Sequence, residues 1–279
     1  MTEFQTALDH VHATLSDLRE QGVELRASAG ALARLTDTRT AVVPATPLRP
    51  APLETRSVAL HAGETALNRA SGSKAERLAA LRGPVLGCTL CPHLAASRTQ
   101  VVFGVGSPEA EVMFVGEAPG EDEDLQGEPF VGKAGQLLTK IIVAMGFTRD
   151  QVYIGNVLKC RPDMPPGESG NRKPKPAEME TCLPYLRQQI DIIQPRALVA
   201  LGATAMEGLL GETQPMNKLR GRWHEFNGIP LMATYHPAYL LRNQSLTEKR
   251  KVWEDMLLVL ERLGKPISEK QRGFFLAKG

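Results

Sequence analysis

No run of residues in this chain is long and apolar enough to cross a bilayer. The opening Met1-Thr2-Glu3-Phe4 lacks the basic start and apolar core of a secretory signal, so a cytoplasmic protein is expected. Cysteine is scarce, with four residues in 279. In a reducing compartment four cysteines point to metal or catalysis before disulfides. Net charge is nearly absent at +2, so bulk charge does not announce a nucleic-acid partner. No internal repeat is visible.

What is present is a graded chain. Phe4, Leu8, Val11, Leu15 and Leu18 recur at steps of four and three, which predicts a helix over residues 3–35. Gly22 weakens that helix, and its apolar stripe suits docking on the main domain or on a partner. The segment Val43–Leu53, "VPATPLRPAPL", carries four prolines and reads as an extended linker. Residues 1–72 are therefore expected to be a flexible extension, 73–264 the folded domain, and 265–279 a tail without strong pattern. Helices are predicted at Lys74–Arg82, Lys133–Met145, Ala177–Ile193, Ala203–Leu210 and Thr247–Leu263. Strands are predicted at Val112–Gly116, Val152–Gly155, Ala197–Leu201 and Leu231–Thr234. Strands alternating with helices imply an α/β fold with a parallel sheet covered on both faces.

Each predicted strand runs into a polar or glycine-rich cluster. In open α/β sheets the ligand crevice lies at those carboxyl ends. Glu117, Asn156 and His236 are therefore expected to share one pocket. Glu117 sits in the tight loop Gly116-Glu-Ala-Pro-Gly120 and either faces a developing cation or serves as a turn acid. Phe130, in a polar loop, is a local anchor or a stacking platform. The amide of Asn156 matches the edge of a base, or caps the next turn. Pro237 holds His236 extended, in a structural or a catalytic role. Leu240 and Leu241, between Tyr239 and Arg242, form a wedge if exposed and the first turn of a core helix if not. The acids of residues 117–128 and the separate basic segments around Lys159–Lys175, Lys218–Arg222 and Arg242–Lys251 suit a polyanionic substrate, or are solvated faces.

The cysteines comprise one tight pair, Cys88-Thr-Leu-Cys91, and two distant residues, Cys160 and Cys182. Spacing alone leaves an iron–sulfur cluster, zinc, and no metal equally open.

Five stretches taken together resemble the family 4 uracil-DNA glycosylases, the iron–sulfur branch of the uracil-DNA glycosylase superfamily. They are "CTLCPHLAASRTQVVFGVGSPEAEVMFVGEAPGEDED", "GEPFVGKAGQLL", "YIGNVLKCRP", "GNRKPKP" and "HPAYLLRN", spread over roughly residues 75–262. The resemblance implies a three-layer α/β/α sandwich around a short central parallel sheet. It also implies a [4Fe-4S] cluster on Cys88, Cys91, Cys160 and Cys182. It assigns Glu117 and Ala118 to the uracil and sugar, Glu123 to the wall near base position 5, and Phe130 to stacking. Asn156 reads the uracil edge, Asn171 lies near the reaction centre, and His236 donates to uracil O2. The segment Leu240, Leu241 and Arg242 fills the gap left by a flipped nucleotide.

Three departures stand out. Ala118 occupies a loop where the most powerful uracil glycosylases carry a water-holding aspartate; family 4 members also lack that aspartate, so activity is still expected. The stretch "DMPPGESG" lengthens the loop between Cys160 and Cys182, which puts the position of Asn171 in question. The first 70 or so residues have no counterpart in compact members and are either a flexible arm for a repair or replication partner or a tolerated extension. The loop of the branch that links covalently to DNA is missing. The expected function is monofunctional excision of uracil from DNA by a monomer. The alternatives are a non-catalytic DNA-binding iron–sulfur module of the same fold, an iron–sulfur redox protein, and a glycosylase for other deaminated bases.

Overall fold

The computed structural model describes residues 72–165 and 167–276. The helix expected over 3–35 and the proline-rich linker lie outside the described residues. Ser73 opens the first helix, α1 (Lys74–Leu86), through a capping box in which its side chain accepts from the Glu76 amide and Glu76 returns the bond. The helix runs one turn past the predicted Arg82 despite Pro84, because Leu81 and Val85 on either side of that proline are buried. A short α2 (Pro92–Ser97) follows the cysteine pair.

The sheet has six strands, β1 (Val105–Gly106), β2 (Val112–Gly116), β3 (Tyr153–Asn156), β4 (Ala197–Leu201), β5 (Trp223–Phe226) and β6 (Ile229–Thr234), in the order β1-β3-β2-β4-β6-β5. The four central strands are parallel, as expected, and β1 and β5 are antiparallel edges that the sequence reading missed. β5 had a signal: Asn227 and Gly228 both take positive φ (49° and 79°), the hairpin chemistry of an Asn-Gly turn. β1 has only two residues, too few for any pattern.

Alternation along β2 sends Met113 and Val115 to one face and Val112 and Phe114 to the other. On the first face they meet α1, α5 (Pro176–Ile193) and α6 (Ala203–Leu210); on the second, α4 (Lys133–Ala144) and α9 (Leu246–Leu263). The α/β/α expectation is thus met. Burial on both faces is why the central strands read as unbroken apolar runs.

Smaller elements complete the order: α3 (Glu121–Gln126), α7 (Met216–Leu219), α8 (Pro237–Arg242) and α10 (Glu269–Arg272). Helix α9 starts one residue before the sequence-based bound, capped by Ser245, whose hydroxyl accepts from the Glu248 amide. The C-terminal stretch packs onto the domain. Ser268 and Gln271 form a capping box, Trp253 Nε1 donates to the Gln271 carbonyl at 2.6 Å, and the Trp253 and Phe274 rings lie 5.2 Å apart. No helix among the described residues is long and apolar enough to cross a membrane.

Candidate active site

The chain leaves β2 and turns to one side for β3, then crosses back over β2 to reach β4. That reversal opens a crevice at the carboxyl ends of the strands. A cavity of about 430 Å³ occupies it, lined by Glu117, Ala118, Glu123, Phe130, Asn156, Asn171, His236 and Arg242. Residues spread over more than a hundred positions of sequence therefore meet in one place.

Asn156 ends β3 opposite Gly116 and is 2% exposed. Its Oδ1 is buried without a hydrogen-bond partner. A buried orphan acceptor costs about 1–3 kcal/mol, so its place at a cavity marks it for a donor brought by a ligand. Gly116 makes room for it. A Cβ there would stand 2.4 Å from Asn156 Oδ1 and 2.6 Å from the Phe130 ring. Gly116→Ala is therefore expected to displace both groups and lower activity about 100-fold, the cost of a misplacement near 1 Å. A kinetic comparison at unchanged melting temperature checks this.

Phe130 is buried and held at φ 55°, in the left-handed region. Its loop is fixed from two sides. Glu123 Oε1 accepts from the Val131 and Gly132 amides at 3.0 and 3.1 Å, while Oε2 accepts from the Gly120 amide at 3.1 Å. The Glu123 carboxylate thus ties the loop after β2 to the Phe130 loop, and its oxygens are engaged with backbone rather than aimed at a ligand. Arg149, which the sequence reading passed over, donates to the Pro129 carbonyl from behind.

His236 caps α8. Its Nδ1 accepts from the Ala238 amide at 3.1 Å, which places the proton of the neutral ring on Nε2. Burial, with the positive Arg242 nearby, pushes its pKa down to about 4. The ring lies 5.5 Å from that of Phe130. Beneath it, Asp255 accepts from Thr234 Oγ1 at 2.6 Å and from Arg220 Nη2 at 2.7 Å, anchoring the end of β6 just before His236. Burial raises the Glu117 pKa, opposed by a hydrogen bond from Thr204 and by the Lys173 charge.

Asn171 stays in the pocket in spite of the long loop before it. Arg172 clasps that loop, donating to the Asp163 carbonyl at 2.7 Å and to both Glu178 oxygens at 2.7 and 3.0 Å. His93 Nε2 also meets Glu178 at 2.8 Å. Although burial opposes it, the bonds from Arg172 and His93 hold the Glu178 carboxyl down to about 2.

The segment after His236 needs one correction. Leu240 is 4% exposed and packs inward, so it is a core residue and not a wedge; Leu241, 38% exposed, is the leucine that faces out. The helical spacing of α8 turns consecutive leucines to different sides. Arg242 is exposed at the cavity rim.

The four cysteines gather in a second place, and their charges influence one another: Cys91 is affected by Cys160 and Cys88, and Cys182 by the same two. Arg98 Nη1 donates to Cys160 Sγ at 3.1 Å and the Lys159 amide to Cys182 Sγ at 3.2 Å. Four thiolates around one zinc ion stand about 3.8 Å apart. Among the described residues, no three cysteine sulfurs converge within 4.8 Å; the group that does is His93, Asp163 and Glu178, where Arg172 already supplies the positive charge.

A family model described as the uracil DNA glycosylase superfamily matches residues 103–257, the stretch that carries the whole pocket. The chain belongs to this superfamily. A type-4 uracil-DNA glycosylase of Thermotoga maritima is 46% identical over 172 residues, covering 61% of this chain and 85% of that protein. The type-4 enzyme of Archaeoglobus fulgidus is 41% identical over 173 residues, covering 59% and 83%. These similarities place the chain in the type-4 branch. A DNA polymerase of Bacillus phage SP01 is 29% identical over 140 residues, 14% of that protein. The superfamily match begins at Phe103, so Cys88 and Cys91 lie before it; both pack against the core cluster that contains Cys160 and Cys182.

Proposed function

We propose that the chain is a monofunctional uracil-DNA glycosylase that hydrolyses the N-glycosidic bond of uracil in DNA and so begins base-excision repair. The observation that carries this reading is the orphan Oδ1 of Asn156 at the cavity floor. Uracil presents an N3–H donor beside its O4 acceptor, and a side-chain amide matches both. Cytosine lacks the N3–H and leaves the orphan acceptor unpaired.

The base is extruded from the helix at a cost of a few kcal/mol, offset by stacking on Phe130 and by the bonds to Asn156. As the C1′–N1 bond breaks, its electron pair passes into the uracil ring and charge grows on O2. His236, neutral with its proton on Nε2, donates to that oxygen. The Glu117 carboxylate and the DNA phosphates stabilise the sugar cation. Water adds hydroxide to C1′ and its proton balances the departing uracil anion. Asn171 stands beside the Gly120 loop at the reaction centre. The wall near base position 5 is the loop that Glu123 ties down, which crowds the methyl of thymine. Lys173 and Arg242 line the mouth and suit phosphate contacts. Leu241 and Arg242 fill the gap in the stack.

Cys88, Cys91, Cys160 and Cys182 suit a [4Fe-4S] cluster, which would cross-link the loop before α2, the segment that follows β3 and helix α5. Burial raises the Cys91 and Cys160 pKa values and pushes Cys182 up to about 12, so loading the site displaces protons. Cys88→Ser should lose iron and solubility together. Normal iron content in that variant would remove Cys88 from the ligand set.

The deciding experiment is excision on an oligonucleotide with a single uracil, followed by alkali, with a thymine control. Cleavage at uracil alone supports the reading, and no cleavage by iron-loaded protein sinks it in favour of a binding module.

A further inference from the structure

Two buried polar side chains beside the pocket take no part in the chemistry above. Lys159 is 1% exposed, and Gln189 is fully buried. Lys159 Nζ donates to the main-chain carbonyl of Asn156 at 2.9 Å and to Gln189 Oε1 at 2.6 Å. Gln189 Nε2 in turn donates to the Phe103 carbonyl at 2.9 Å and reaches Tyr153 Oη at 3.0 Å. Burying an ammonium is expensive, and an apolar side chain of the same volume would fill the space at less cost. The pair therefore needs a reason.

The sheet supplies one. β1 pairs with β3 at Val105–Ile154 and Gly106–Tyr153. Continued by two residues, that register would set Phe103 opposite Asn156. The backbone turns away at Gly104, whose φ is 134°. The ladder is therefore cut just where β3 delivers its base-reading residue. Both orphaned carbonyls, of Phe103 and Asn156, are taken up by the Gln189–Lys159 pair.

We propose that Lys159 and Gln189 are positioning residues, which clamp the Asn156 main chain at the break between the Val105–Ile154 pairing and the bond from the Val102 amide to the Lys159 carbonyl, so that Oδ1 is held toward the incoming base. This rests on the reading of Asn156 as the uracil-binding amide. Gly116 packs against Asn156 from the other side, so the amide sits between a rigid clamp and a close wall. The lysine amide also donates to Cys182 Sγ, so the clamp grows from the same turn that holds the cysteine site.

The test compares wild type, Lys159→Met, Gln189→Leu and Gln189→Glu in the iron-loaded protein. Four quantities are read: inhibition by free uracil, single-turnover excision, affinity for abasic-site DNA, and iron content. Lys159→Met and Gln189→Leu should each weaken uracil inhibition and slow excision about 10- to 100-fold, the usual range for loss of a supporting residue. Affinity for abasic DNA and iron content should stay at wild-type values. Gln189→Glu still accepts from Lys159 but cannot donate to the Phe103 carbonyl, so its uracil affinity should fall between those of Gln189→Leu and wild type. Wild-type uracil affinity in iron-loaded Lys159→Met overturns the proposal. So does failure of both Lys159→Met and Gln189→Leu to yield iron-loaded protein, which would make the pair structural only. A wild-type protein that neither binds nor excises uracil removes the reading of Asn156 itself, and the clamp with it.

Discussion

Asn156→Ala will slow uracil excision about 100- to 10,000-fold under single-turnover conditions. The range follows from losing two buried hydrogen bonds to a base that gains negative charge, each about 1.5–3 kcal/mol. The melting temperature should move little or rise, because Oδ1 has no partner in the folded protein. Removing a buried acceptor that is satisfied only by ligand relieves the free enzyme of its desolvation cost. Iron content and affinity for abasic DNA should match wild type. A variant that loses activity and melting temperature together would mean that Asn156 is a structural residue, and excision within a few-fold of wild type would remove it from base reading. Gly116→Ala attacks the same amide from outside, so the double variant should fall short of additivity.

The second large effect lies at His236. His236→Ala should lower excision about 100- to 1,000-fold, the cost of one donor to a developing oxyanion. Its pH signature separates this donor from an ordinary histidine acid. Burial first, and the Arg242 charge second, bring the ring from an ordinary 6.5 down to about 4, so it is neutral throughout the physiological range. The excision rate should show no inflection near pH 6.5. An acid limb is expected instead from Glu117, whose pKa burial raises above its ordinary 4.5. Its ionised form faces the sugar cation, so the rate falls as pH drops through that raised value, and Glu117→Gln should abolish the limb. A pH–rate profile on wild type and both variants decides it. An inflection near 6.5 that vanishes in His236→Ala would show a titrating acid in place of a fixed neutral donor. Stability carries the same sign: between about 6.5 and 4 the unfolded chain takes up a proton at this position that the native ring refuses, so acid works against the fold.

Much of the site was readable from residues in order. Glu117, Asn156 and His236 each follow a continuous apolar run, and a run buried on both faces ends where the chain meets the crevice. The expectation that they converge needed only the rule for open α/β sheets. Ala118, Phe130, Asn171 and Arg242 join them in the cavity. The sequence reading was weaker on what each group does there. Glu123 was expected at the wall and is found tying two loops together by their amides. Leu240 and Leu241 were one unit in sequence and are separated by the turn of α8, one inward and one outward. Asn171 was in question because of the loop before it, and stays in place because Arg172 holds that loop to Asp163 and Glu178.

The sequence by itself determined the order of the four central strands and the main helices between them, the parallel centre of the sheet, and the residue types at the strand ends, because these follow from local periodicity and burial. It also carried the four cysteines, though not their relation in space. Only the tertiary structure decided which of those groups are free to act. Whether an amide oxygen is orphaned, whether an imidazole is neutral, and whether a carboxylate faces a ligand or a backbone amide depend on neighbours far along the chain. Lys159 meets Gln189 thirty residues away, and Thr234 meets Asp255 twenty-one away. Hydrogen bonding and desolvation are properties of such meetings. They arise only when folding brings the partners together and removes the water between them.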